Sequence, residues 1–233
     1  MTRTPALAAL LLLLATACTP PPKRPSPTPV AGPDLAWYEH AREGTVYAVK
    51  SDESRLEIRV GRTGPLMRMG HNHVITSTAL TGLVFVANDR SQSRADVSVT
   101  VDSFVVDDPS ARTAAGAGFE SVPTAADIAG TRANMTGPAL LDVAHFPKID
   151  ARIKPLDVSA GRASVNASIV VLGVAHEVQL PAEWKADGQR LRVSCVFETS
   201  HGALGLEPFS ALGGALRVAN EIDIRVDIVA IAR

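Results

Sequence analysis

The chain has 233 residues and a formal net charge of −1, which is room for one large domain or two small ones and leaves no basic excess for a nucleic-acid partner. Hydrophobic residues make up 46% of it but aromatics only 4%, so a full core is available and must be mostly aliphatic.

The N-terminus reads as a targeting segment to be kept apart from the fold. Arg3 supplies a positive charge, and Ala6 to Leu14, "ALAALLLLL", is the apolar stretch. At nine residues it falls well short of the ~20 that span a bilayer. It runs into "ATAC", and small residues before a cysteine after such a run resemble a bacterial lipobox. Residues 1–17 are then a signal peptide, and Cys18 becomes the lipidated N-terminus. Several acyl chains would hold the protein on a membrane. Ala15 departs from that pattern, where leucine is commonest, and an ordinary secretory signal is the alternative. Residues 18–43 open with "TPPPKRPSPTPVAGPD" after Cys18, a proline-rich and therefore semi-rigid spacer suited to tethering a domain. Thr19 stands where an aspartate typically retains such proteins at an inner membrane, which points to the outer membrane of a bacterial periplasm. With Cys18 acylated, Cys195 has no disulfide partner, and its place in "LRVSCVF" makes it a small core residue.

From Thr45 onward the dominant period is two. Leu56, Ile58 and Val60 alternate with Arg55, Glu57 and Arg59. Ala95, Val97, Val99 and Val101 alternate with Asp96, Ser98, Thr100 and Asp102. Ala163, Val165, Ala167 and Ile169 alternate with polar residues, as do Ile222, Ile224, Val226 and Ile228. Further strands are expected at 45–50, 79–87, 148–155, 175–183 and 190–199, with turn residues between them. Residues 119–142 lack alternation, and a short helix over Ala125 to Thr131, capped by Thr124, is expected there. One domain, 44–233, results. Many long strands with one apolar face are best buried by closure into an up-and-down antiparallel barrel of about eight strands, which can enclose an apolar ligand.

Six stretches in order carry a resemblance: "TVYAVKSDESRLEIRV", "TALTGLVFV" centred on Gly82, "VSVTVDSFVVDD", "LDVAHFPKIDARI", "SVNASIVVLGVAHEVQLPAEW" with Leu172-Gly173-Val174 as a turn, and "HGALGLEPF" before the last strand "NEIDIRVDIVAI". Over nearly all of 45–231 the chain resembles the YceI-like family of periplasmic lipid-binding proteins. That resemblance implies an all-β, lipocalin-like barrel holding a long isoprenoid or quinone-like chain, without catalysis or cofactor. Two departures cluster, at Arg132 and Asn134 in the excursion and at the second histidine of "RMGHNHVI", and they point to a different ligand or partner within the family.

Candidate ligand-binding residues are therefore His71, His73 and Arg132 for a head group, Val97, Val99, Val101 and Ile169 for the lumen, and Phe209 in the glycine-rich loop "PFSALGGAL". That loop is either a lid or ordinary packing. If 67–73 is extended, Met67, Met69, His71 and His73 share one face and, with His201, make an alternative copper or zinc set. Gly70 interrupts that run, and no carboxylate or cysteine adjoins it, so no metal is expected first. Asp107-Asp108-Pro109-Ser110 reads as a turn. Ser200-His201 cannot pair as nucleophile and base, because adjacent strand residues face opposite ways. An envelope lipoprotein with a purely structural barrel is the remaining alternative.

Overall fold

The computed structural model describes residues 34–233. The expected signal peptide, Cys18 and the proline-rich part of the tether lie outside the described residues. The first element, helix α1 (Leu35–His40), falls in the expected tether. Asp34 caps it, accepting from the Trp37 N–H at 3.2 Å. Twelve strands follow: β1 (Gly44–Val49), β2 (Arg55–Thr63), β3 (His73–Ser77), β4 (Leu80–Ala87), β5 (Arg94–Thr100), β6 (Val105–Val106), β7 (Lys148–Ser159), β8 (Arg162–Val171), β9 (Val174–Ala186), β10 (Arg190–Ser200), β11 (Ser210–Ala211) and β12 (Leu216–Ala232). Helices α2 (Pro109–Ala115) and α3 (Ala125–Thr136) stand between β6 and β7.

All strand pairings are antiparallel. They run β1-β4-β5-β7-β8-β9-β10-β12, and β12 returns to β1 through Tyr47–Ala232, Ala48–Ile231 and Val49–Ala230, which closes an eight-strand barrel. Closure leaves no free edge along that ring. The 17-residue β12 also pairs with β2 beyond the closure point, so β1 and β2 act as one long strand kinked at Ser51–Glu53. Ser54 stitches the kink: its hydroxyl accepts from the Val229 N–H at 3.0 Å and donates to the Val229 carbonyl at 3.3 Å. β3 and β6 extend this side leaf.

The hairpin between β8 and β9 shows how sequence sets register. Val171 pairs with Val174, and the two residues between, Leu172 and Gly173, both take positive φ (52° and 74°). That is the twist-matched two-residue turn of tight hairpins. At Gly82, φ is +151°, and a Cβ there would stand 2.2 Å from the Asp96 carbonyl oxygen. Glycine is what lets β4 lie against β5 under α1.

The observed helices differ from expectation in three ways. α3 begins at the expected residue, with Thr124 and Asp127 capping each other, but continues to Thr136. α2 replaces the turn expected at Asp108-Pro109-Ser110. Asp108 accepts from the Ser110 and Ala111 N–H groups, and Pro109 supplies a first-turn φ that needs no donor. α1 is an added strap on the outer barrel wall. Tyr38 is buried against Leu83, Phe85 and Ala87, and its hydroxyl donates to Asp96 at 2.8 Å. Burial first, and then that carboxylate, push the phenol far above its ordinary pKa. Arg94 and Arg152 also donate to Asp96, each at 2.8 Å. The folded body thus starts before Gly44, the boundary expected from the strand pattern.

Candidate functional site

The inward faces of the barrel enclose a cavity of about 520 Å³. Its walls are the alternating apolar positions of nearly every strand: Leu56, Ile58 and Val60 of β2, Val97 and Val99 of β5, Ile169 of β8, Val193 and Phe197 of β10, and Ile222, Ile224, Val226 and Ile228 of β12. The period of two that makes each strand also makes the lumen, because every second side chain points inward. Cys195 joins this lining. Its thiol donates to the Pro181 carbonyl at 2.9 Å, and burial pushes its pKa up to about 11, so it is an unreactive wall residue.

Val97, Val99, Ile169 and Phe209 all line the cavity, as do His71 and His73. Val101 does not. β5 ends at Thr100, and Val101 opens a 3₁₀ turn that packs it into the solid core beside Phe104. The alternation of "VSVTV" runs one residue past the strand that it describes. Arg132 is a second correction. It lies on α3, whose Thr131, Asn134 and Met135 face the cavity. The Arg132 guanidinium points aside, donating to the Phe104 carbonyl and, at 3.0 Å, to the Asp102 carbonyl. It pins the helix to the turn after β5 and is not placed to hold a head group.

The methionine–histidine segment is a third correction. Pro65 and Gly70 bracket a 3₁₀ turn over Met67–Met69, so residues 67–73 are not extended. Met67 and Met69 project into solvent, 42% and 68% exposed, and neither joins the cavity lining to which His71 and His73 belong. His71 and His73 remain together, ring centroids 6.2 Å apart. His201 lines the cavity too, with its Nδ1–H donating to the Asn220 carbonyl at 3.1 Å. Among the described residues no group of three or more His, Cys, Asp or Glu side chains stands together to hold one metal ion.

What fixes His73 is a network that the sequence reading missed. Asp107, with a φ of +55° and its side chain fully buried, accepts from His73 Nδ1 at 2.6 Å, the Val74 N–H at 3.0 Å and Arg112 Nη1 at 2.6 Å. Burial alone would raise the Asp107 pKa; the donors from His73, Val74 and Arg112 outweigh it and hold the carboxyl below its ordinary value. The Nδ1 side of the ring is taken up by the Asp107 carboxylate, which turns Nε2 toward the Thr131 hydroxyl, 3.5 Å away. Arg112, itself buried, also donates to the carbonyls of Asn72, Phe119 and Ser121. One guanidinium thus ties α2, the loop after it and the His-Asn-His segment together. The available signal was the Asp-Pro-Ser helix start, which places Arg112 in the first turns of a helix; no local period announces that Asp107 reaches a histidine 34 residues away.

These features define a class: a closed antiparallel barrel of lipocalin type whose lumen is an aliphatic cavity lined also by a few polar groups, His71, His73 and His201 among them. A profile of the YceI-like domain matches residues 47–230, and the chain belongs to that family. No curated protein sequence matches it. Among solved structures it is similar to Burkholderia cenocepacia BcnA, with a TM-score of 0.56 and 13% identity over 78% of this chain and 98% of that one. It is also similar to a polyisoprenoid binding domain from Saccharophagus degradans implicated in plant cell wall breakdown, with a TM-score of 0.53 and 12% identity over 81% of this chain and 99% of that one. At such identities the likeness is one of fold.

Proposed function

We propose that the protein is a non-catalytic, lipid-anchored carrier of the bacterial envelope that sequesters or ferries an isoprenoid-like or quinone-like lipid in its lumen. The observation that carries this reading is the cavity itself. It is about 520 Å³ in volume and walled by aliphatic side chains from around the barrel. Such a space fits a ligand whose affinity comes from burying methylene and methyl groups, at about 0.8 kcal/mol per CH₂. The family membership and the polyisoprenoid-binding neighbour support the same ligand class. His73 Nε2, with the Thr131 hydroxyl beside it, would hydrogen-bond the polar end of the ligand. The apolar run and Cys18 support export and acylation, with the outer membrane as the anchor's site.

The test is saturable uptake of a fluorescent polyprenyl probe by the wild-type protein and by Val99→Asp. Val99 is 7% exposed on the lumen wall, so a carboxylate there is set against the chain of the ligand. Loss of uptake in a variant that keeps its circular-dichroism spectrum is expected. Unchanged uptake would refute a central lumen site.

A further inference from the structure

Five exposed large apolar side chains stand on two neighbouring loops at the histidine end of the barrel. Leu66, Met67 and Met69 lie between β2 and β3, and Phe209 and Leu212 between β10 and β12. The loops are joined by backbone: the Leu66 N–H donates to the Ala215 carbonyl at 2.9 Å, and β11 pairs with the first residues of β12. Phe209 and Arg217 both line the cavity and are exposed, so the lumen reaches the surface at this rim. Single exposed apolar residues are ordinary, but a contiguous group marks an interaction site.

The two loops themselves, residues 61–72 and 201–217, carry Arg62, Arg68 and Arg217 against Glu207, while the acids Asp127 and Glu120 lie beside the His-Asn-His segment, on α3 and the loop before it. We propose that this apolar, cationic rim docks the mouth of the barrel onto a bilayer carrying anionic lipid, so that ligand passes between membrane and lumen without crossing water. The proposal rests on the carrier reading above. A lipid surface suits the rim for two reasons. Phe209 continues from the rim into the cavity, so what covers the rim is continuous with what fills the lumen. Methionine and leucine beside arginine also match an acyl boundary beneath anionic head groups, and the thioether side chains adapt to a fluid surface.

The test is vesicle flotation of residues 34–233, a body in which every strand of the barrel finds both neighbours within the segment and which carries neither the signal peptide nor Cys18. Vesicles of phosphatidylethanolamine with phosphatidylglycerol are compared with vesicles of phosphatidylcholine. The expected result is flotation with the anionic vesicles and a fall of about tenfold or more in partitioning for Met69→Asp/Leu212→Asp. Both residues stand mostly in solvent, so the fold should survive, and a Met69→Leu/Leu212→Met variant should float like the wild type. Equal flotation of wild type and the double aspartate variant, or none by either, would overturn the proposal. A doubled mass in solution that the aspartates abolish, without flotation, would assign the rim to a second copy and also overturn it. Native mass spectrometry of the same samples separates the two readings: an empty lumen with rim-dependent flotation sinks the carrier reading alone, and a filled lumen without flotation sinks docking alone.

Discussion

Replacing Asp107 with asparagine tests the buried network at its centre. The carboxylate is fully enclosed and faces Arg112 Nη1 at 2.6 Å, His73 Nδ1 at 2.6 Å and the Val74 N–H at 3.0 Å. Asparagine keeps the shape but removes the charge, so the 7%-exposed Arg112 is left without its counter-ion. Removing one partner of a buried pair costs about 3–5 kcal/mol. For a body of this size each kcal/mol shifts Tm by about 2–4 °C, so a fall of about 6–20 °C is expected. Urea unfolding followed by the fluorescence of Trp37 and Trp184 measures it. The pH dependence has a defined sign. The folded pKa of Asp107 is depressed, so its contribution is complete above the unfolded value of about 3.9 and is lost as pH falls through the folded value. Wild type and Asp107→Asn should therefore differ most near neutral pH and converge in strong acid. A loss below about 1 kcal/mol at pH 7, or a gap that widens in acid, would refute the reasoning.

Gly82→Ala should destabilise the barrel by several kcal/mol, because the new Cβ would meet the Asp96 carbonyl oxygen at 2.2 Å on a backbone of positive φ; thermal unfolding reads this directly. Cys195 should react slowly with iodoacetamide at pH 7 in the native state and faster as pH rises toward about 11, and mass spectrometry of the alkylated protein follows the rate. Arg132→Ala should leave lipid occupancy unchanged while lowering stability by about 1 kcal/mol, since its guanidinium serves the Phe104 and Asp102 carbonyls rather than the lumen. Reduced occupancy at unchanged stability would return Arg132 to the ligand.

The strands were legible because a barrel wall repeats one rule. Leu56, Ile58, Val60 and their counterparts alternate in sequence, and the same alternation builds the lumen. The rule misled where it outran the strand. Met67, Met69, His71 and His73 alternate on paper, but Gly64-Pro65 and Gly70 bracket a 3₁₀ turn that separates the thioethers from the imidazoles. Val101 fits the period of β5 and yet sits past its end. Arg132 was singled out because the excursion departs there from the family pattern, whereas the face of α3 that meets the cavity is set by Thr131 and Met135. Of the His73–Asp107–Arg112 network only the helix that carries Arg112 had a sequence mark, since its members are joined by tertiary contact and by the positive φ of Asp107, and neither leaves a periodic one. The packing of the segment before Gly44 was missed, although Trp37 and Tyr38, in a chain with few aromatics, were the mark of it in the sequence.

Native mass spectrometry of residues 34–233, which keep the α1 strap, purified without chelator after incubation with a bacterial lipid extract, tests the central claim most directly. A lipid-carrying lumen predicts an extra mass of several hundred daltons that is lost on collisional activation and absent from Val99→Asp. A bare polypeptide mass, or an adduct that Val99→Asp retains, would contradict it.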